Sequence, residues 1–316
     1  DGTAGHLDIM GEMYSVFLKY ALGDGKEIGI VLTPAYITKM MAQLLEVNKD
    51  SKVMDLAAGS AGFLIAAMEI MIADTENAYG RKTTKAEKKI ENIKKKQLLG
   101  VELNAKMYTL ASTNMILRGD GSSNIQKGSS FDRPKELYDE FKADRLLLNP
   151  PFSFEENGMP FMAHGLKNMR KNGLAAIIIQ DSAGSGKASK TNKTILEKNR
   201  LIASIKMPVD LFQPSAGVQT SIYIFEVGKK HNFQNDIVKF IDFRNDGYKR
   251  TKRGIAEIDH PTERYQDILI IYKMGINANK NPNFHADLWN LGDVYIEDVI
   301  DESGNDWNFE KHQKID

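Results

Sequence analysis

The chain of 316 residues is long enough for one large α/β domain with an appendage, or for two modest domains. Its 42 basic residues balance its 42 acidic residues, so any contact with nucleic acid must come from local basic patches and not from a global field. Cysteine is absent, which excludes disulfides, thiolate metal sites and the covalent thiolate attack that methylation of cytosine C5 requires.

The sequence has no apolar stretch long enough to span a bilayer and no recognisable leader with a cleavage site. A soluble, cytoplasmic protein without membrane contact is therefore expected. The sequence starts at Asp1 and not at a methionine, which suggests that a further segment precedes it.

Two helices are predicted before the first strand. Residues 7–21 have apolar positions at helical spacing and predict a docking helix within an N-terminal segment, residues 1–28. Thr33-Pro34 has the form of a helix start, because threonine can cap a helix and proline suits its first position. A second helix is predicted from there to Leu45.

From Lys52 onward, short apolar runs alternate with helical patterns. Strands are predicted at residues 53–54, 98–101, 146–148, 174–179, 201–205 and 221–227, with helices between several of them. This alternation predicts an α/β fold with a mostly parallel sheet. It stops after Gly228, so one domain is placed at residues 29–228, and a C-terminal extension that contacts a partner or DNA is placed at residues 229–316.

Two polar segments interrupt this pattern. The lysine-rich run at residues 81–96 indicates a solvated helical insertion more than a phosphate-contacting surface. The stretch at residues 181–199 predicts a long mobile loop after a strand, and long loops in compact domains are often functional.

A glycine-bearing turn, Asp55-Leu56-Ala57-Ala58-Gly59-Ser60-Ala61-Gly62-Phe63, lies where the first strand should lead into a helix. Glycines there let the backbone approach a nucleotide-like cofactor closely. At the end of the next strand, Glu102 occupies the place where α/β sheets put an acid that accepts from ribose hydroxyls, and Leu103 would lie against an adenine ring. Spacing alone does not separate a dinucleotide from S-adenosylmethionine.

The residues Asn149-Pro150-Pro151-Phe152 end an apolar run and suit the capture of a planar amino group. Asn149 offers a carbonyl acceptor, and the two prolines stiffen the turn and leave a backbone carbonyl free as a second acceptor. Phe152 offers a ring on which a base extruded from a duplex could stack. These four residues are the predicted catalytic group.

Together the cofactor turn, the acid and the tetrad resemble the N6-adenine DNA methyltransferases. The resemblance is closest to the modification (M) subunit of type I restriction-modification systems, and it covers residues 7–227. It implies a Rossmann-like S-adenosylmethionine-dependent methyltransferase fold, with a mostly parallel sheet of seven strands flanked by helices, N-terminal helices and a C-terminal extension.

The resemblance also implies the site and the partners. The family's Thr-Pro motif matches the segment from Ile30 to Ala35. The residues implied to bind S-adenosylmethionine are Ile30, Thr33, Pro34, Asp55, Ala57, Gly59, Ser60, Ala61, Gly62, Glu102, Leu103 and Asn149. The implied partners are double-stranded DNA, a specificity (S) subunit that reads the sequence, with two M subunits for each S, and a restriction (R) subunit in some complexes.

Two segments depart from the family pattern. The turn usually reads Cys-Gly-Thr-Gly-Gly, whereas this chain has Ala58 to Gly62 with one glycine fewer, and cofactor binding is expected to survive because small residues persist. Ahead of the tetrad, Lys127-Gly128-Ser129-Ser130-Phe131 offers only serine hydroxyls where the family often has an acid or asparagine.

Two alternative functions remain open. A methyltransferase could act on RNA or on a protein glutamine amide, both of which present planar amino groups. A non-catalytic assembly subunit could bind the cofactor or a partner without transfer. No metal is expected, because the six histidines lack metal-ligand spacing, and the segment from Gly184 to Lys187 lacks the residues of a phosphate loop.

Overall fold

The computed structural model of the chain describes residues 32–118, 124–212 and 217–314. The predicted helix at residues 7–21 and the predicted site residue Ile30 lie outside these described residues. Within the described ranges, no helix combines the length and the apolarity needed to cross a membrane.

The strands of the described residues fall into one large sheet and one hairpin. In chain order they are β1 (Val53–Asp55), β2 (Leu98–Glu102), β3 (Ile125–Lys127), β4 (Ala143–Leu148), β5 (Met169–Gln180), β6 (Asn199–Lys206), β7 (Thr220–Val227), β8 (Val238–Asp242), β9 (Tyr248–Thr251), β10 (Gly254–Glu257) and β11 (Tyr295–Asp298).

Helices separate many of these strands. In chain order they are α1 (Ala35–Leu44), α2 (Gly62–Tyr79), α3 (Thr84–Lys96), α4 (Ala105–Leu117), α5 (Lys135–Phe141), α6 (Met159–Lys167), α7 (Ser189–Leu196), α8 (Pro261–Met274) and α9 (Leu291–Val294).

The large sheet has the strand order β11-β8-β6-β7-β5-β4-β1-β2-β3. The five neighbouring strands β5, β4, β1, β2 and β3 are mutually parallel, whereas β7 runs antiparallel to both β5 and β6. Helices connect the parallel strands, as crossover connections require. The predicted α/β architecture with a mostly parallel sheet is confirmed.

The large sheet of the described residues has nine strands, whereas the sequence pattern predicts six and the resemblance implies seven. Three strands have no counterpart among the six: β3, which pairs in parallel with β2, and, after Gly228, β8, which pairs in parallel with β6, and β11, which pairs antiparallel with β8. Whether a short apolar run joins an existing sheet edge depends on the space beside that edge, which a sequence pattern does not contain. The division at residue 228 stays a prediction, and it does not separate two sheets.

Apolar layers cover both faces of the sheet. Along the parallel strand β1, Val53 and Met54 point to opposite layers, so the strand is apolar on both of its faces. One layer includes side chains from α1, α2, α4 and α8, namely Ile37, Leu64, Met115 and Ile268. The other includes side chains from α5, α6, α7 and the C-terminal segment, namely Tyr138, Met162, Ile195 and Trp307.

The predictions for the two polar segments, residues 81–96 and 181–199, have different outcomes. The lysine-rich run forms α3, and the Thr83 side chain caps it by accepting from the Ala86 N–H at 3.1 Å, so the predicted helix is confirmed. The prediction of a long loop at residues 181–199 is wrong, because this stretch contains a 3₁₀ turn and α7. Only Asn192, Ile195 and Leu196 of α7 are buried, so its polar exposed face hides the helical pattern.

Trp307 tests whether the C-terminal segment belongs to the common core. Its side chain is buried, with ring centroids 5.4 Å from Tyr223 and 5.6 Å from Phe225, both on β7. We expect Trp307→Ala to lower the free energy of unfolding by about 3–5 kcal/mol in urea titrations, through lost burial and a residual cavity. Ile276→Ala, at a side chain that is 65% exposed, is the matched control and should change it by less than about 0.5 kcal/mol. Equal midpoints for the Trp307→Ala and wild-type chains would contradict this packing.

Candidate active site

Three predicted site residues follow three neighbouring parallel strands. Asp55 ends β1, Glu102 ends β2, and Asn149 comes directly after β4. Because β1 lies between β2 and β4, and parallel strands end at the same edge of a sheet, these side chains meet at one edge, here called the carboxyl edge. Ligands of open α/β sheets bind at such an edge.

The turn after β1 is held in a tight left-handed conformation. Gly59 has φ +56° and Ala61 has φ +68°, and Ala61 occupies the N-cap position of α2. Glycine adopts this conformation freely, whereas alanine pays about 1–2 kcal/mol for it. The turn therefore accommodates its missing glycine through local strain at Ala61. Asn114 of α4 supports the turn by donating from Nδ2 to the Ser60 carbonyl at 2.8 Å.

Glu102 accepts backbone hydrogen bonds from the turn after β1 and from the start of α4. Its Oε1 accepts from the Gly59 N–H at 2.8 Å, and its Oε2 accepts from the Asn104 N–H at 2.7 Å. Burial raises the pKa of Glu102, and the N–H groups of Asn104, Gly59 and Leu103 oppose that rise. Each carboxylate oxygen has capacity for a further donor. The carboxylate thus holds the turn and can also accept from a ligand hydroxyl.

Asp55 is buried and only half satisfied. Its Oδ1 accepts from the Ala57 N–H at 3.0 Å, whereas its Oδ2 is buried without a hydrogen-bond partner among the described residues. Burial raises the pKa of Asp55 to about 8; the Ala57 N–H opposes the rise and the charge of Glu102 adds to it. An unsatisfied carboxyl oxygen of this kind suits a ligand that brings N–H donors or positive charge.

Asn149 is oriented by Thr33. Asn149 Nδ2 donates to Thr33 Oγ1 at 2.7 Å, although the two residues are 116 positions apart in the chain. Asn149 Oδ1 is buried and has no hydrogen-bond partner in the part of the chain that the structure describes. The amide therefore presents a free acceptor. The prediction that Thr33 caps the following helix is wrong, because Pro34 occupies the N-cap position and α1 has no side-chain cap from a described residue.

The rest of the tetrad is shaped by contacts that the sequence does not reveal. The Phe152 ring packs against the buried Phe212 ring in a T-shaped arrangement with centroids 5.5 Å apart. Gly158, at φ +101°, lies so close to Pro150 that an added Cβ would be 2.5 Å from the proline ring. The Pro151 carbonyl accepts from the Phe154 N–H at 3.1 Å.

One pocket gathers most of the predicted cofactor-binding residues. The predicted residues that line it are Thr33, Asp55, Ala57, Gly59, Ser60, Gly62 and Asn149, and the others are Leu32, Thr38, Ala58 and Phe63. Of the predicted residues that the structure describes, four do not line it, namely Pro34, Ala61, Glu102 and Leu103. Sequence reasoning missed the lining residues Leu32, Thr38, Ala58 and Phe63, and also Asn114 and Gly158, which support the site. Thr38 lies one helical turn after Pro34, and this spacing is a sequence signal that could have found it.

Comparison with known proteins decides the family. The profile of the family described as N-6 DNA Methylase matches residues 5–159 and 154–274, which is most of the chain. The chain belongs to this family. The resemblance to N6-adenine DNA methyltransferases is thereby confirmed.

Proteins named as restriction enzymes or their methylase subunits are similar to this chain over most of its length. It is 35% identical over 267 residues to the type II restriction enzyme and methyltransferase RM.BcgI of Heyndrickxia coagulans, covering 81% of this chain and 40% of that protein. It is 26% identical over 240 residues to the type I restriction enzyme EcoEI methylase subunit of Escherichia coli, covering 70% of this chain and 47% of the subunit. The chain thus spans less than half the length of these relatives.

A solved structure shares the fold. A modification subunit of a putative type I restriction enzyme from Vibrio vulnificus superposes with a TM-score of 0.68 at 18% identity, covering 95% of this chain and 62% of that one. The chain therefore shares the α/β fold of that subunit.

S-adenosylmethionine is the cofactor that the family and its fold imply. The pocket residues fit this molecule. Asp55 Oδ2 is a buried oxygen without a partner among the described residues, and its side chain lines the pocket. The ionised Asp55 carboxylate would suit a ligand that carries an ammonium group and a sulfonium charge.

Asp55 should make stability depend on pH. Because its folded pKa of about 8 exceeds the unfolded value near 3.9, its stabilising contribution is complete below about pH 4 and is lost as the pH rises through about 8. We expect the free energy of unfolding of wild type, minus that of Asp55→Asn, to fall between about pH 5 and pH 8 in urea titrations. Asp55→Asn is the matched control, because the introduced amide can still accept from the Ala57 N–H and does not titrate. Parallel pH profiles for the two chains would contradict the raised pKa.

Proposed function

We propose that the chain transfers a methyl group from S-adenosylmethionine to the N6 amino group of an adenine extruded from double-stranded DNA. The observation that carries the proposal is the buried, unpartnered Oδ1 of Asn149 beside the cofactor pocket of the described residues. Family membership supports the same activity, because the family is described as N-6 DNA Methylase.

The chemistry of an aromatic amine explains why this acceptor matters. The lone pair of the N6 nitrogen is delocalised into the purine ring, so the nitrogen is a poor nucleophile. An acceptor that holds the N–H hydrogens localises the lone pair and directs it toward the electrophile. Asn149 Oδ1 would accept one N–H. Because the Pro151 carbonyl is already bonded to the Phe154 N–H, the Pro150 carbonyl is the candidate for the second.

The remaining residues would align the base and the methyl donor. When bound, S-adenosylmethionine supplies an electrophilic methyl group on a sulfonium. Asp55, Gly59 and Ser60 would hold it along the turn, with Glu102 as acceptor for its ribose. Phe152, braced by Phe212, would stack on the extruded adenine. The nitrogen lone pair would displace the methyl group from the sulfonium, with the electron pair of the broken carbon–sulfur bond left on sulfur as a neutral thioether. The methylated nitrogen would then lose one proton to water, so no covalent enzyme intermediate is needed.

We further propose that the chain acts in a hetero-oligomer. EcoEI's methylase subunit carries the name of a type I restriction enzyme, and RM.BcgI is named as a restriction enzyme and methyltransferase. By this likeness a specificity subunit would select the DNA sequence, with two copies of the chain for each copy of that subunit and a restriction subunit in some complexes.

Asn149→Ala tests the proposed catalytic role. We expect methyl transfer to fall by about 10²–10³-fold, since the acceptor for the amino group is lost, whereas the dissociation constant for S-adenosylmethionine stays close to wild type. The measurement is incorporation of radiolabelled methyl groups into unmethylated duplex DNA, with nucleosides identified by mass spectrometry and cofactor binding measured by calorimetry.

The matched control is Asn235→Ala, which removes the same amide from an exposed position far along the chain and should leave both quantities unchanged. Transfer by Asn149→Ala at the wild-type rate would refute the proposed mechanism. Transfer by the wild-type chain to ribosomal RNA or to a glutamine amide, and not to DNA, would assign the same site to the alternative substrates.

A further inference from the structure

The hairpin of β9 and β10 forms a separate two-stranded sheet after β8. Its strands pair in register from Tyr248 opposite Glu257 to Thr251 opposite Gly254, and the two residues Lys252 and Arg253 form the turn at its tip. The Thr251 side chain closes this turn by accepting from the Arg253 N–H at 3.3 Å and donating to the Gly254 carbonyl at 3.4 Å. The turn holds the two basic residues at the tip.

The exposed charges of the hairpin are mainly positive. Lys249, Lys252 and Arg253 are all exposed, and within the described ranges none of them makes an ion pair. Glu257 is the only acidic residue in the two strands and lies at the end opposite the tip. In a chain with no net charge, this is a local basic patch of the kind that contact with a polyanion requires.

The base of the hairpin is rigid. Arg250 Nη2 and Asp246 Oδ2 form an ion pair at 2.6 Å, with the two side chains 4% and 1% exposed. Tyr265 donates to the same Asp246 oxygen at 2.6 Å, and Arg250 Nη2 also donates to the Tyr36 hydroxyl at 3.1 Å. At the foot of the hairpin, Gly247 has φ +87°, and an added Cβ would lie 2.4 Å from the Asp259 carbonyl. Little ordering would be needed when the tip meets a partner.

The hairpin starts at the same edge of the sheet as the candidate active site. β8 is parallel to β6, and both β6 and β5 are antiparallel to β7, so β8 runs in the same direction as β5 and β4. Its C-terminal end at Asp242 therefore lies at the carboxyl edge. The contact with Tyr36 joins the hairpin to α1, and Tyr36 is three residues after Thr33, which orients Asn149.

We propose that this hairpin is a DNA-contacting arm that enters the major groove of the substrate duplex, with Lys249, Lys252 and Arg253 against the phosphates. This inference rests on the proposed DNA substrate and deepens it. Strands of four residues extend about 13 Å, and a two-stranded ribbon fits a major groove about 12 Å wide and 8.5 Å deep. The arm would hold the duplex beside the amino-group acceptor while leaving sequence selection to a partner.

The test replaces the basic residues of the arm and measures the salt dependence of duplex binding. The K249A/K252A/R253A variant of the full 316-residue chain is compared with wild type by fluorescence anisotropy on an unmethylated labelled duplex between about 20 and 200 mM salt. Affinity falls with salt, and each lost phosphate contact reduces the steepness of log affinity against log salt by about 0.9. We therefore expect the slope of the variant to be less steep by about 2–3, and its affinity near 0.1 M salt to be at least about tenfold lower.

The matched control is K88A/K94A/K96A, which removes the same charge from α3. The C-terminal end of this helix comes just before β2 begins and so lies at the opposite edge of the sheet. Its salt slope should equal that of wild type. An unchanged slope for the K249A/K252A/R253A variant, or no salt-dependent duplex binding by wild type, would overturn the proposal. If the K249A/K252A/R253A variant lost binding to poly-glutamate but kept its binding to the duplex, this result would also overturn the proposal, in favour of an acidic polypeptide partner.

The proposal can fail separately from the proposed function. The arm variant should bind S-adenosylmethionine with wild-type affinity by calorimetry, and raised duplex concentration should restore its maximal methyl-transfer rate, because the arm does not touch the reacting atoms. If the wild-type chain showed the expected salt slope but no methyl transfer, the DNA-contacting role of the hairpin would still be supported and the proposed enzymatic function would be contradicted.

Discussion

The hydrogen bond from Asn149 Nδ2 to Thr33 Oγ1 determines which way the amide faces. An asparagine side chain has one donor end and one acceptor end, and a rotated amide would present N–H groups to an incoming amino group and repel it. Since Thr33 takes the donor end, Oδ1 is left as a buried acceptor without a partner among the described residues. The proposed selection for an amino nitrogen depends on this orientation.

The sheet brings the other parts of the site to that amide. β4 lies next to β1, so Asn149 comes beside Asp55 and the cofactor turn, and β2 adds Glu102 from the other side of β1. The bond to Thr33 ties α1 to this edge, and the contact of Tyr36 with Arg250 carries the connection to the β9–β10 hairpin. The pocket, the acceptor and the basic arm are thus parts of one connected edge of the sheet.

The sequence predicts the parts of the site that follow from strand ends and motifs. Buried parallel strands leave continuous apolar runs, so the position of Glu102 and of the tetrad after β4 is visible in the chain. The role of Thr33 is not visible, because its partner is 116 residues away and its local pattern favours a cap. The same holds for Asn114, which supports the turn from α4, and for β8, whose pairing depends on the free edge of β6.

A comparison of Thr33→Val with Thr33→Ser tests the central claim most directly. Valine has the shape of threonine but no acceptor, whereas serine keeps the hydroxyl. At saturating S-adenosylmethionine and duplex DNA, we expect kcat of Thr33→Val to fall by about 10²-fold, because a misaligned amide is costly, and kcat of Thr33→Ser to stay near wild type. A Thr33→Val chain with the kcat of wild type would contradict the account, because the amide would then be oriented without Thr33.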